Sequence, residues 1–104
     1  MNKPMVEVNE NAGVVTVAVK ADRVTVANVA DLKTTLISTL NGGASKVVLD
    51  LAEVKFMDST GISVLISGLK ASRERSNRFV IANIQRDVLK LFELMKLDKI
   101  FEII

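Results

Sequence analysis

The sequence predicts an α/β fold, a mixed β-sheet with helices packed against it, in a single domain spanning residues 1–104. Two strand-like segments come first, and helix-like and strand-like segments then alternate to the end of the chain. That order is typical of helices covering a largely parallel sheet. Hydrophobic residues make up 49% of the chain and aromatic residues only 4%, which is enough aliphatic side chain for one core. The predicted order is β-β-α-β-α-β-α, to which a short terminal strand is a possible addition.

The first two strands are predicted to form a hairpin. Residues 5–9 alternate apolar and polar side chains, as in a half-buried strand. Residues 14–19 are almost all β-branched, which favours a second strand. Between them, residues 9–13 carry the Asn and Gly that are typical of a turn.

The first helix is predicted over residues 26–40, with Thr25 as its N-cap. Apolar side chains recur at three- and four-residue spacing and define its buried face: Val29, Leu32, Leu36 and Leu40. Gly42 and Gly43 follow, and glycine commonly ends a helix because it tolerates the left-handed conformation.

A continuous apolar strand over residues 46–51, expected at the centre of the sheet, precedes a second helix over residues 59–76. The predicted inward stripe of this helix is Ile62, Leu65, Ile66 and Leu69. Its predicted outward stripe is Thr60, Ser63, Ser67, Lys70 or Ala71, and Glu74.

The last third of the chain is predicted to hold a strand, a helix and a terminal apolar group. The strand covers residues 79–82 and the helix residues 86–96. The buried face of that helix is predicted as Val88, Leu91, Phe92 and Met95. Ile100, Phe101, Ile103 and Ile104 are expected to close the core or to add a short edge strand.

Composition excludes several classes of function. The chain has no Cys and no His, which removes disulfides, thiolate chemistry, Cys/His zinc sites and histidine acid–base catalysis. A net charge of +2 without a basic run does not indicate nucleic-acid binding. Residues 1–4 are not followed by an apolar signal segment, and no apolar stretch is long enough to span a bilayer. A soluble, cytoplasmic domain that contacts no membrane is therefore expected.

Asp58, Ser59, Thr60 and Gly61 stand where the central strand ends and the second helix begins. Backbone N–H groups at a helix N-terminus lack intrahelical partners, so this position tolerates a phosphate. Phosphorylation of Ser59 would add about −1.5 to −2 charges beside the small outward stripe, and a partner packed there would be repelled. The alternative is an ordinary N-cap with no further role. The small outward face favours binding, because solvated helix faces usually carry Glu and Lys.

Catalytic interpretations of the same residues are weaker. Asp50 and Asp58 would be the carboxylates of a metal or acid–base site. Ser59 as a nucleophile needs a base, and the chain offers no His and no Gly-x-Ser-x-Gly elbow. We therefore expect no enzyme activity, no metal and no cofactor.

Several segments resemble the bacterial anti-sigma factor antagonists, single-domain members of the sulfate transporter and anti-sigma antagonist (STAS) group. They are Leu49-Asp50-Leu51, Phe56-Met57-Asp58-Ser59-Thr60-Gly61-Ile62, Val88 to Phe92, and Leu97-Asp98-Lys99-Ile100-Phe101. The resemblance covers nearly the whole chain, and Met57 to Gly61 is its most specific part.

The resemblance implies a partner switch that regulates transcription. In that family, an anti-sigma factor that is also a serine kinase phosphorylates the antagonist, and a metal-dependent serine phosphatase reverses this. The unphosphorylated antagonist binds the kinase and frees the sigma factor. Carried onto this chain, the phosphorylated residue is Ser59. The residues expected to bind the partner are Asp58, Thr60, Gly61, Ser63, Ser67 and Asp22.

The chain departs from the family pattern after the second strand. Members usually carry Gly-x-Leu-Asp there, whereas this chain reads Lys20-Ala21-Asp22-Arg23-Val24-Thr25. Asp22 is the candidate for the family Asp, but neither the Gly nor the register matches, so whether Asp22 replaces that Asp stays open. A monomer is expected when the protein is free. The alternative function is a non-switching STAS scaffold in a signalling, secretion or lipid-transport assembly.

Overall fold

The structure, a computed structural model, describes residues 4–104. Met1 to Lys3 lie outside the described residues. They belong to the N-terminal segment on which the expected cytoplasmic location partly rested. The main sheet has five strands: β1 (Val6–Asn11), β2 (Val14–Val19), β4 (Lys46–Asp50), β6 (Arg78–Ala82) and β7 (Glu102–Ile103). They lie side by side in the order β1-β2-β4-β6-β7. The β1–β2 pair is antiparallel, as the predicted hairpin requires, and the remaining pairs are parallel.

Three α-helices connect these strands: α1 (Val29–Asn41), α2 (Ser59–Arg75) and α3 (Arg86–Leu94). A single turn of 3-10 helix (Leu97–Lys99) leads from α3 into β7. The predicted order is confirmed for the five-stranded sheet and the three helices, and the terminal apolar group does supply an edge strand.

The second sheet was not predicted. It consists of two parallel strands of two residues each, β3 (Arg23–Val24) and β5 (Phe56–Met57). Strands this short carry no measurable periodicity, and their pairing joins segments about 30 residues apart along the chain. This small sheet matters for the site, because β5 runs directly into Asp58 and the start of α2.

The core lies on one face of the main sheet. Val15 and Val17 of β2 stand beside Val47 and Leu49 of β4 in the parallel register, and all four are buried. The helices cover this face with their own apolar residues. Leu32, Leu36, Leu40, Ile62, Leu65, Val88 and Phe92 belong to the same buried cluster.

The terminal segment contributes Phe101 to this core. Its ring lies 6.2 Å from that of Phe79 in an edge-to-face arrangement and 5.6 Å from that of Phe92, measured between centroids. Such aromatic pairs add about 0.5–1.5 kcal/mol beyond the apolar area that they bury. Phe101 therefore ties the end of the chain to both β6 and α3.

The beginning of α1 differs from the prediction. The helix begins at Val29 and its N-cap is Asn28, because residues 25–28 form a separate turn. The Thr25 hydroxyl accepts a hydrogen bond from the Ala27 N–H at 3.2 Å, and the Asn28 side chain accepts one from the Thr25 N–H at 3.0 Å. Thr25 therefore stabilises the turn before the helix and does not cap the helix itself.

Two predicted core residues are exposed. Ile66 retains 41% of its accessible surface, since the inward face of α2 is completed by Val64 and Gly68 instead. Met95 retains 47%, because α3 ends at Leu94 and the chain turns away there. Both predictions were wrong for the same reason: periodicity gives the spacing of a buried stripe but not its width or its end.

Candidate functional site

Asp58 is the N-cap of α2, with extended backbone at φ −91° and ψ −178°. One carboxylate oxygen, Oδ1, accepts a hydrogen bond from the Gly61 N–H at 3.0 Å. The other, Oδ2, accepts one from the Val26 N–H at 3.1 Å, and the Asp58 N–H donates to the Val24 carbonyl at 3.1 Å. Asp58 therefore holds the start of α2 against the segment that precedes α1.

These contacts hold the pKa of the Asp58 carboxyl below its usual value. The hydrogen bond from the Gly61 N–H is the largest cause, and partial burial acts against it. The N–H groups of Val26 and Thr60 and the charge of Arg23 lower the pKa further. A carboxylate stabilised in this way is ionised at neutral pH, so a negative charge stands permanently beside Ser59.

Ser59 is the first residue of α2, and its side chain is exposed. Because the capping bond comes from Asp58, the Ser59 hydroxyl is not required to begin the helix. An exposed hydroxyl at this position is accessible to an enzyme that modifies serine. Its local structure would change little, since a helix N-terminus favours a negative group.

The exposed face of α2 continues from Ser59 with small side chains. Ser63 and Ser67 are exposed, as predicted for the outward stripe, whereas Thr60 is half-buried. Ile66 adds an exposed apolar side chain to this face. Serine is a weaker helix former than Ala, Glu or Lys, so the composition of this face does not serve helix stability.

Gly61 lies behind this face, not on it. It is buried, and a Cβ atom placed on it would stand 2.6 Å from Met57 Cγ and 3.0 Å from Val24 Cγ1. A contact of 2.6 Å is essentially never found for a real Cβ atom, so any side chain at this position would force Met57 to shift, and glycine lets α2 start this close to β3 and β5. The structure gives Gly61 a packing role at the site.

Asp22 lies at the opposite end of the small sheet from Ser59. Its side chain is exposed, and its backbone carbonyl accepts hydrogen bonds from the N–H groups of Lys55 at 2.7 Å and Phe56 at 3.1 Å. Asp22 thus lies beside Lys55, which precedes Ser59 by four residues. Asp22 borders the small sheet but is not next to the serine.

Three residues beside Asp58 were missed in the sequence. Val26 is 74% exposed and Phe56 is 42% exposed, and Arg23 lies over the Phe56 ring. Arg23 and Val26 reach the site through the pairing of β3 with β5, which joins distant segments, whereas Phe56 lies only two residues before Asp58. No local pattern in the sequence indicates such a pairing.

The two carboxylates of the catalytic alternative have separate structural roles. Asp50 Oδ1 accepts hydrogen bonds from the Ala52 N–H at 2.9 Å and from Asn83 Nδ2 at 3.1 Å. Asp58 holds the backbone contacts described above. Within residues 4–104, no three acidic side chains group closely enough to hold a metal ion.

None of the helices in the described part of the chain combines the length and apolar character needed to cross a bilayer. The longest, α2, has 17 residues and carries several charged side chains.

Comparisons with known proteins agree with the resemblance described from the sequence. A family model described as the STAS domain matches residues 3–104. An anti-sigma-B factor antagonist of Listeria monocytogenes is 38% identical over 55 residues, which are 53% of this chain and 48% of that protein. The alignment thus spans about half the length of that relative.

Solved structures share the fold. An anti-sigma-factor antagonist (STAS) domain protein from Planctomyces limnophilus superposes with a TM-score of 0.84 at 21% identity, covering 95% of this chain and 87% of that one. The Bacillus cell fate determinant SpoIIAA in its phosphorylated form superposes with a TM-score of 0.73 at 13% identity, covering 95% and 90%. At these identities the likeness concerns the fold alone.

Proposed function

The chain belongs to the STAS domain family, and from that premise we propose that it is an anti-sigma factor antagonist controlled by phosphorylation of Ser59. The unphosphorylated form binds a kinase-type anti-sigma factor and frees the sigma factor. Phosphorylation of Ser59 releases that partner, and a metal-dependent serine phosphatase restores the binding form. The protein itself performs no catalysis in this scheme. It acts in the cytoplasm and is a monomer when free.

One observation carries the proposal: Ser59 is exposed at the first position of α2, while its neighbour Asp58 supplies the cap. The serine is therefore free to accept a phosphate without loss of the helix start. The anti-sigma-B factor antagonist of Listeria monocytogenes described above supports the same role.

The proposed contact surface begins at Ser59 and follows the exposed face of α2. Ser63 and Ser67 let a partner's backbone approach closely, and Thr60 lies at the same helix end. Asp58 adds a fixed negative charge, and Asp22 extends the surface along the small sheet. Gly61 supports it from behind. A phosphate on Ser59 would add charge at the centre of this contact, and burying an unpaired charge in an interface is strongly unfavourable.

The direct test is incubation with the cognate anti-sigma kinase and ATP, followed by mass spectrometry of the peptides. We expect one phosphate, on Ser59, in the wild type and no phosphate in the Ser59→Ala variant. A chain that remains unmodified at Ser59 contradicts the proposed switch.

Binding variants test the role of charge. Ser59→Asp and Ser59→Glu are expected to weaken binding of the kinase, while Ser59→Ala leaves it close to the wild-type affinity. Equal affinity for all three would argue against charge as the cause. A stable complex that phosphorylation does not dissociate would instead indicate a STAS scaffold.

A further inference from the structure

Arg23 and Phe56 form a stacked pair next to the proposed phosphorylation site. The guanidinium carbon lies 4.3 Å from the centroid of the Phe56 ring, within the range of a cation–π contact. The two residues are direct partners in the parallel pairing of β3 with β5. The stack therefore fixes the direction of the Arg23 side chain.

That direction is towards the side of β5 on which Asp58 lies. Side chains alternate along extended backbone, so Phe56 and Asp58 share one side while Met57, only 2% exposed, points into the core. The guanidinium is thus held near the Asp58 carboxylate, and its charge acts on that group. Ser59 is the next residue along the chain.

Arg23 is exposed and stands apart from the ion pairs found in the described residues. Arg78 is paired with Glu102, and Lys20 lies between Glu7 and Glu53. Arg23 and Asp58 do not form an ion pair within the described residues, and each Asp58 carboxylate oxygen accepts a backbone hydrogen bond.

We infer that Arg23 is the cation that binds the phosphate group on Ser59, an inference that rests on the proposed function. A phosphate monoester carries up to two charges and matches the planar fork of guanidinium, whereas an exposed cation–π contact is weak. Arg23 therefore leaves the Phe56 ring for the phosphate, and the ring becomes uncovered. Asp22 directly precedes Arg23 and Lys55 directly precedes Phe56, so these are the charged residues adjacent in sequence to the stack.

The test uses protein in which phosphoserine is incorporated at position 59 during translation, so that no kinase is needed. The second pKa of the phosphate is measured by ³¹P NMR in the wild type and in Arg23→Gln. We expect a lower value in the wild type, by on the order of half a pH unit for a guanidinium in contact with the phosphate at the surface. Arg75→Gln, at the other end of α2, is the matched control and should leave the value unchanged.

A second measurement needs no substitution at Arg23. The Nε–H signal of Arg23 should shift in the ¹H–¹⁵N spectrum when Ser59 carries phosphate, while that of Arg75 stays in place. The same phosphoserine pKa in the wild type and Arg23→Gln, or an unmoved Arg23 signal, overturns the inference. Neither result depends on a kinase, so failure of Arg23 to bind phosphate is distinguishable from failure of a kinase to modify Ser59.

Discussion

The Asp58 carboxylate accepts a hydrogen bond from the backbone N–H of Val26 at 3.1 Å, across 32 residues of chain. The same carboxylate caps α2 through the Gly61 N–H. One side chain thus joins the start of α2 to the turn before α1, and Ser59 is presented from that junction.

Asp58→Asn is expected to lower the melting temperature at pH 7. The amide can still cap α2 through its oxygen, but its NH₂ group cannot accept the hydrogen bond from Val26, and the negative charge is lost. The folded pKa of Asp58 is depressed, so its contribution is complete above the usual pKa of 3.8 and is lost as the pH falls through the lower folded value.

Melting curves by circular dichroism between pH 2 and pH 7 test this. The difference between the wild type and Asp58→Asn should be largest near neutral pH and vanish in acid. Glu10→Gln, which removes one exposed charge from β1, serves as the control. A wild type no more stable than Asp58→Asn at pH 7 would show that the junction contributes nothing.

Substitution of Ser59 should leave the fold intact. The cap comes from Asp58, so Ser59→Ala is expected to change the free energy of unfolding by no more than about 0.5 kcal/mol. Ser59→Asp places an acid in the first turn and should stabilise the helix by about 0.3–1 kcal/mol at low ionic strength. Urea denaturation measures both. A loss above about 1.5 kcal/mol in Ser59→Ala would mean that the hydroxyl is structural and that binding data on this variant need reinterpretation.

Gly61→Ala should destabilise the protein although alanine is the better helix former. The added Cβ atom meets the buried Met57 side chain at 2.6 Å, and relieving such crowding typically costs about 1–3 kcal/mol. The intrinsic preference for alanine returns only about 1 kcal/mol. Ser63→Ala on the exposed face of the same helix is the matched control and should be neutral or slightly stabilising. If Gly61→Ala proves as stable as Ser63→Ala, the close packing of α2 on the small sheet is not required.

Asn77 links the turn after α2 to the end of α1, and Asn77→Asp should weaken that link. Its Nδ2 donates to the Leu40 carbonyl at 2.8 Å, while its Oδ1 is buried without a hydrogen-bond partner in the described structure. A carboxylate would set acceptor against acceptor, and an unsatisfied buried polar group costs about 1–3 kcal/mol. Asn77→Ala removes the bond without adding charge and should cost less. Urea denaturation in which Asn77→Asp matches the wild type would contradict this.

Much of the fold follows from patterns within single segments. The β-branched residues of β2 and the apolar run of β4 indicated strands, and the spacing of Leu32, Leu36 and Leu40 indicated a helix. These patterns are readable because burial on one face repeats at the period of the element itself. The limits of the elements were less predictable, as Ile66 and Met95 show, since exposure at the edge of a stripe depends on what packs against it.

The candidate site likewise has a part that the sequence predicted and a part that it did not. Asp58 to Gly61 were recognisable in sequence because a helix start needs a cap and the first turn follows it directly, so all the relevant contacts are local. The resemblance to the anti-sigma factor antagonists rested on the same short run. The sequence by itself therefore determined the order of the elements and the position of the exposed serine.

Only the tertiary structure brought Arg23 and Val26 to Asp58, the residue before that serine, and showed that Gly61 is buried. Their positions depend on the pairing of β3 with β5, two strands too short to leave a periodic signal and separated by about 30 residues. A contact between distant segments is decided by the summed packing of everything between them, so no local pattern encodes it.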